Sequence, residues 1–437
     1  MWNYYNDMVV FITGGTGFLG TALVYRLLTQ TSVRHIYLLC RGDISKVQAK
    51  WQESLVTELV EEMQRTNRFT VMNGDILSVN MGLSQKDLEI LQKQVNIVIH
   101  CASSINLSKP LNGLSKVIVG ASDMIANFAL ICKELDRFVY VSTAYANCYI
   151  RQFTEGIETK ISEDIYDPNF DSGVIDEWAA VLESGSSVPY RKHDFPWAYA
   201  YAKNLTERLL LHRFTGIGSQ HRLLIIRPSI IGPAQNFPFA GFNVPMSSPS
   251  TMLAAGFALS LGRTVTVATN IPDKASEIYY DEVPVDVVVD RLLAHLAMGT
   301  TGCVHAVSGK RAPLRLTDWW QSVARLRRLP WELRLNLREL DWKSHKQHAL
   351  ARLYVLMGSS FLFSDQKTIE LSEHPSVQEC ETLQLFTNIN LAGQLITRQE
   401  DVYSVIENIS NKSMVIWLIK ILFYGDMRQK EARKSRL

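Results

Sequence analysis

The chain is 437 residues long, 47% hydrophobic, and carries 45 Lys and Arg against 43 Asp and Glu. That length allows one large domain and a smaller one with ample core, and a formal charge of +2 gives no reason to expect nucleic acid as a partner. Six cysteines (Cys40, Cys101, Cys132, Cys148, Cys303, Cys380) lie far apart with no C-x-x-C pair, which argues against a metal site and for free thiols in a reducing compartment.

A strand pattern, Met8–Thr13 (MVVFIT), begins almost at once. It leaves no room for a secretory leader, so an intracellular protein is expected, cytoplasmic or peripheral on an organelle membrane. The strand runs into Gly14-Gly15-Thr16-Gly17-Phe18-Leu19-Gly20, and Phe18–Leu28 then has helical periodicity. Strand, glycine-rich turn and helix in that order form a dinucleotide-binding fingerprint. The glycines let the backbone turn tightly and approach a pyrophosphate, which the helix N-terminus holds. Gly14, Thr16, Gly17, Phe18, Leu19 and Gly20 are therefore expected at the cofactor.

His35–Leu39 (HIYLL) is the second buried strand. An NAD-selective site usually places an acid near this strand end for the ribose 2′-hydroxyl. Here Arg41 stands instead, with Lys46 close behind, and a cation attracts a 2′-phosphate, so NADPH is the expected cofactor. The bland alternative is a solvated loop arginine. An amphipathic stretch, about 44–66, leads to strand Phe69–Asn73 and Gly74-Asp75-Ile76, where Asp75 and Ile76 are expected beside the adenine ring.

Asn96–His100 (NIVIH) and Phe138–Val141 are the next strands, separated by a helical run of about 114–135. The first ends in small residues, Cys101-Ala102-Ser103-Ser104, that permit close packing on a cofactor. The second ends in Ser142-Thr143-Ala144-Tyr145, where a hydroxyl at the carboxyl end of a parallel strand can hold a substrate oxygen. Thr143 is the candidate and Ser142 its support, against the alternative of a local turn hydrogen bond. About fifty residues follow in which Glu163, Asp164, Asp167, Asp171, Asp176 and Glu177 cluster; a solvated insertion is expected rather than paired catalytic carboxylates.

Within Phe195–Glu207 (FPWAYAYAKNLTE), Tyr199 and Lys203 stand four apart on a helical pattern, so both leave the same face. An ammonium beside a phenol favours the phenolate, which equips the pair to exchange a proton with a substrate oxygen. Strand Leu223–Arg227 then ends at Pro228.

The phrases TGGTGFLG, YLLCRG, HCASSINLSKPL, YVSTAYAN, AYAYAK, IIRPSIIGP and EVPVDVVVD occur in this order. Together they resemble the fatty acyl-CoA reductases of the extended short-chain dehydrogenase/reductase group, over roughly Met8–Ser308. The resemblance implies a doubly wound parallel sheet at 1–312 and a smaller helical C-terminal domain at 313–437. It also implies NADPH-dependent reduction of an acyl-CoA or acyl-carrier thioester, to aldehyde and on to alcohol. Thr143, Tyr199 and Lys203 would be catalytic and Gly14, Gly17 and Gly20 would bind the cofactor. A rival is an extended reductase or epimerase acting on a nucleotide sugar or another carbonyl. The chain shows no G-x-x-x-x-G-K-[ST] loop, so a pre-formed thioester rather than a free acid is the expected substrate.

In the C-terminal part Trp319, Trp320 and Trp331 lie among Arg325, Arg327 and Arg328. That mixture could meet an anion or a membrane, or be an amphipathic helix with snorkelling arginines. Ser413–Tyr424 (SMVIWLIKILFY) is apolar but too short to span a bilayer core. With the basic tail that follows, Ser413–Leu437 fits either peripheral contact with an anionic membrane or a helix docked on its own domain.

Overall fold

Residues 1–153, 158–168, 173–389 and 399–424 are described by the computed structural model. Seven apolar runs form one parallel sheet in the order 302–306, 223–228, 137–141, 97–100, 9–13, 35–40, 69–73. Side chains alternate across a strand, and here each set enters its own core. Val10 and Ile12 lie in one with Ile36, Leu38, Ile97 and Ile99, and Val9 and Phe11 in the other with Tyr37, Leu39 and Val98. Helices Phe18–Gln30 and Val285–Ala297 close the first face. Helices Ala121–Leu130 and Ala198–Gly216 close the second. Burying one such side chain contributes about 1.5–3 kcal/mol, so the two-sided core fixes the register.

The chain winds outward from strand 9–13 through 35–40 to 69–73, then returns to 97–100 on the other side of 9–13. That reversal opens a crevice beyond the carboxyl ends of strands 9–13 and 97–100, where ligands bind in open α/β sheets. The fold is the doubly wound parallel sheet that the family resemblance implies.

Local detail differs from expectation in several places. The stretch 44–66 is two helices, Ile44–Gln52 and Thr57–Arg65, the first capped by Asp43 accepting from the Lys46 N–H. The run expected at 114–135 spans Leu111–Leu130 and is interrupted by a π turn at 116–120. It is long and apolar enough to cross a bilayer, yet over half of it is buried, with Leu114, Ile118 and Ile125 fully enclosed. The acid-rich insertion is not uniformly solvated. Glu163 is buried and accepts from the His305 and Lys367 N–H groups at 2.8 and 2.9 Å. Glu177 is buried and holds Arg208 through two contacts of 2.8 Å. Asp171 lies outside the described residues.

Two compact units interleave along the chain. The first comprises Met1–Val244, Asp281–Arg311 and Phe361–Asn388; the second comprises Pro245–Tyr280, Ala312–Ser360 and Ile389–Leu437. The expected single division into 1–312 and 313–437 is therefore corrected. Residues 361–388 return to the first unit because buried Arg291 donates to Leu385 O at 2.7 Å and Glu163 accepts from Lys367 N–H. The second unit is mainly helical, with Pro249–Ala258, Leu316–Leu326 and Gln399–Ser410 beside a parallel strand pair, Thr264–Thr269 and Arg334–Glu339. Trp319 and Trp320 are buried there against Phe257. They form the core stripe of an amphipathic helix rather than an exposed contact. In Met414–Tyr424, Ile419 and Tyr424 are buried, with the Tyr424 hydroxyl donating to Ala258 O at 2.7 Å. Met414, Val415, Leu418 and Leu422 are exposed, and the basic tail, 425–437, lies outside the described residues.

Candidate active site

The glycine turn closes on the neighbouring strand end. Gly14 has φ +80°, and a Cβ there would stand 2.7 Å from the Ala102 nitrogen. A Cβ on Gly20 would stand 2.0 Å from the Gly14 carbonyl oxygen. Neither position admits a side chain, so the backbone is held open as a cradle. Gly17 then starts helix Phe18–Gln30 with no side-chain cap. The first-turn N–H groups of a helix have no intrahelical acceptors, and they suit a pyrophosphate here. A chain of hydrogen bonds fixes the opposite wall. Ala102 N–H donates to Thr13 Oγ1 at 3.3 Å, and Thr13 Oγ1 lies 2.7 Å from His100 Nδ1. His100 Nε2 lies 3.0 Å from Ser122 Oγ, which donates to Ile118 O. Burial and then the Lys203 charge hold His100 down at about 3; it is neutral, and its place is structural.

Arg41 is exposed at the carboxyl end of strand His35–Cys40. The following Gly42 donates its N–H to Asn73 Oδ1 at 2.8 Å, and the Lys46 chain packs over Gly42. Both cations thus sit beyond the same strand end. Asp75 is half-buried and accepts from the Leu77 N–H at 2.9 Å, an Asx turn that sets the loop. Ile76 packs on the adjoining core. Glycine turn, Arg41 and Asp75 all follow neighbouring strands of one sheet, which is a fit for a dinucleotide.

At the reacting end, Tyr199 and Lys203 lie on the first turns of helix Ala198–Gly216. Lys203 is buried, donates to Val141 O at 2.8 Å, and stands 4.6 Å from the Tyr140 ring centroid and 5.9 Å from that of Tyr199. Burial pulls its ammonium down to about 7, and Glu207 is the leading opposing influence. Thr143 is buried, with its hydroxyl 3.4 Å from Pro228 O. The expected lowering of the Tyr199 pKa by Lys203 is corrected. Burial raises it above the ordinary phenol value, and the group that pulls it back is Thr143 through a side-chain hydrogen bond. The tyrosine is thus a protonated donor. Ser142 also differs from expectation, since its hydroxyl donates to Glu207 Oε1 at 2.5 Å.

Glu207 was not singled out by the sequence pattern. It lies one turn beyond Lys203 and is fully buried. Arg227 holds it by two contacts, Nε to Oε1 at 2.9 Å and Nη2 to Oε2 at 2.6 Å. The i, i+4, i+8 series Tyr199, Lys203, Glu207 was the available signal. The acids of EVPVDVVVD are structural: Asp286 accepts from the backbone N–H groups of Gln235 and Asn236, and Asp290 pairs with Arg26 at 2.8 Å.

A profile of the male sterility protein family, an NAD-binding domain, matches residues 12–292. Human fatty acyl-CoA reductase 1 is 30% identical over 302 residues, covering 67% of this chain and 55% of the human protein. The chain thus spans little more than half the length of the curated relatives it matches. Among solved structures, the reductase domain of a non-ribosomal peptide synthetase from Mycobacterium tuberculosis superposes with a TM-score of 0.59 at 16% identity, covering 93% of this chain and 92% of that one. UDP-glucuronic acid 4-epimerase from Bacillus cereus in complex with NAD gives 0.53 at 14% identity, with 91% and 99% covered. At those identities the two structures speak for the fold. The family match spans the cradle, Thr143, Tyr199 and Lys203 alike, and the chain belongs to the male sterility protein family, the family of the fatty acyl-CoA reductases, with a site for a nicotinamide cofactor.

Proposed function

We propose that the protein reduces an acyl thioester, acyl-CoA or acyl-carrier, with NADPH, to an aldehyde and on to the primary alcohol. The observation that carries this is the convergence of a protonated Tyr199, the Thr143 hydroxyl and a buried Lys203 ammonium at one strand end. The glycine cradle would hold the pyrophosphate, Asp75 and Ile76 the adenine end, and Arg41 with Lys46 a 2′-phosphate. When bound, the nicotinamide cofactor supplies the hydride. Thr143 and Tyr199 donate hydrogen bonds to the thioester oxygen, and these strengthen as charge develops on it. Tyr199, kept protonated by burial, is placed to hand that oxygen its proton. Lys203 holds the nicotinamide ribose and its positive charge faces the developing anion. Collapse of the resulting hemithioacetal releases a thiol and leaves the aldehyde, so each NADPH and proton consumed in this first stage yields one thiol.

The exposed strip Met414, Val415, Leu418 and Leu422 supports peripheral contact of Ser413–Leu437 with an anionic membrane. An intracellular location, cytoplasmic or on an organelle membrane surface, is in keeping with six free cysteines. The catalytic reading is tested by giving the purified chain matched acid and thioester pairs while NADPH loss and thiol release are followed together. Coupled loss and release on thioesters alone is expected. Reduction of a free acid, or NADPH loss without thiol, would overturn it.

A further inference from the structure

One carboxylate ties together the two strand ends at which the catalytic groups meet. Val141, Ser142 and Thr143 follow one another at the carboxyl end of strand 137–141, and each is held by a different group. Val141 O accepts from Lys203 Nζ at 2.8 Å, the Ser142 hydroxyl donates to Glu207 Oε1 at 2.5 Å, and the Thr143 hydroxyl donates to Pro228 O at 3.4 Å. The neighbouring strand, 223–228, is held by the same carboxylate. Arg227 donates to Glu207 through Nε at 2.9 Å and Nη2 at 2.6 Å, and the next residue is Pro228, the acceptor for Thr143. Ser142 N–H closes the seam by donating to Ile226 O at 2.7 Å. Glu207 therefore clamps the residues that adjoin both partners of the Thr143 contact.

The clamp is also a charge. Glu207 lies one turn beyond Lys203, so both side chains leave the same face of helix Ala198–Gly216, and both are buried. Lys203 also meets Tyr140 from strand 137–141, His100 and Cys101 from the end of strand 97–100, and Tyr199 from its own helix. None of these carries a negative charge near neutrality. Burial pushes the Cys101 thiol up to about 12 and raises both phenols above their ordinary value, and it holds His100 down at about 3. Glu207 itself also meets Arg227 and Cys303, whose thiol burial likewise raises to about 12. Among the described residues, Glu207 is thus the anion that faces the Lys203 ammonium.

A fully buried ion pair is a poor device for stability, because apolar residues of the same volume often do as well or better. The Glu207–Arg227 pair nevertheless stands where Thr143, Tyr199 and Lys203 converge, so its place rather than its energy calls for a reason. Resting on the thioester reading above, we infer that Glu207 is the positioning residue of the reacting end: through Ser142 and Arg227 it seats the Thr143 hydroxyl, and through its charge it serves Lys203. It acts through these side chains, and no proton passes to it.

The test uses the full chain with saturating NADPH and a thioester, and follows thiol release against pH in three variants that separate clamp from charge. Glu207→Gln keeps the shape and loses the charge. A nearby opposite charge shifts a pKa by about 1–3 units, and the Arg227 guanidinium places this case at the low end. The alkaline limb of kcat should therefore lie about one pH unit below that of the wild type. Glu207→Asp keeps the charge and shortens the reach, and Ser142→Ala cuts the link toward Thr143 alone. Each should lower kcat about fivefold, the equivalent of one ordinary hydrogen bond, with the thioester KM and the limb unmoved. A merely structural pair would lower the urea midpoint in the Glu207 variants and leave the limb in place, so an unmoved limb in Glu207→Gln overturns the inference. An unchanged kcat in Ser142→Ala does the same, and it decides the matter should Glu207→Gln fail to fold. If the wild type releases no thiol from any thioester, the reductase reading fails by itself. The inference then rests on the urea midpoint without cofactor, whose rise with pH is traced to Lys203 by Lys203→Met. That rise must begin about one unit lower in Glu207→Gln, because a lower folded value for Lys203 widens the window in which only the unfolded chain holds the proton; an unmoved onset would overturn the charge role.

Discussion

The two ends of the candidate site are built by opposite means. The nucleotide end is backbone: glycines packed so closely that a Cβ on Gly20 would stand 2.0 Å from a carbonyl oxygen, with exposed cations such as Arg41 beyond a strand end. The reacting end is buried charge: Lys203, Glu207 and Arg227 are at most 1% exposed and each has a prescribed partner. Exposed groups at the first end can change with little strain on the fold. At the second end, chemistry and stability share the same side chains, so substitutions there should move both.

The largest expected effect separates the two within the reacting end itself. Tyr199→Phe removes the proton donor and keeps the ring, and positioned acid–base groups contribute about 10² to 10⁴ in rate. Turnover should fall by that order while NADPH affinity, measured by fluorescence titration, is retained. Near-normal turnover would remove Tyr199 from the chemistry.

Next comes Glu207→Ala. It strands the Arg227 guanidinium in a site where both partners are 0% exposed. Removing one member of a buried pair costs about 3–5 kcal/mol, so the urea midpoint should drop steeply even without cofactor. A midpoint shift typical of a surface substitution would show that the ion pair carries none of the fold.

What was legible in the sequence follows the same division. Strands such as 9–13 and 97–100 read clearly because they are buried on both faces and therefore apolar throughout. Gly14 and Gly20 were legible because only glycine fits those positions. Glu207 and Glu163 were not, since a buried carboxylate looks in sequence like a solvated one. Only its partner, Arg227 twenty residues on or His305 across the fold, tells them apart. The interleaved units escaped for a related reason: the tie from Arg291 to Leu385 O joins residues 94 apart and has no local signature. The raised phenol pKa of Tyr199 has no sequence signature either, because the four-residue spacing to Lys203 shows a neighbouring charge and not the burial that outweighs it.

Lys203 gives a pH test of that last point. Its folded value of about 7 lies below the ordinary 10.5, with burial the main cause. Below pH 7 both folded and unfolded chains carry the proton and the burial cost is constant. Between about 7 and 10.5 the unfolded chain holds a proton that the folded chain has released, so this residue makes stability rise with pH across that window. Lys203→Met should remove that rise, seen as the difference between wild-type and variant urea midpoints at pH 7 and pH 9.5 without cofactor. A difference that stays constant with pH would mean the ammonium is better solvated than its burial implies.

The smallest effect belongs to the nucleotide end. Arg41 is exposed, so Arg41→Ala should leave the thermal midpoint within the scatter of surface substitutions, about 0.5 kcal/mol. Cofactor choice should nevertheless change. A hydrogen bond to a charged group contributes about 1.5–3 kcal/mol, and solvent access together with the neighbouring Lys46 places the loss at the low end. That converts to about tenfold weaker NADPH binding. NADH lacks the 2′-phosphate, so its affinity should hold, and the ratio of the two dissociation constants is the quantity to measure. Equal losses for both cofactors would make Arg41 a loop residue that shapes the strand end without reading the phosphate. A large stability loss with no change in the ratio would dissolve the contrast between the two ends, because it would place structural weight on a side chain that the fold leaves in solvent.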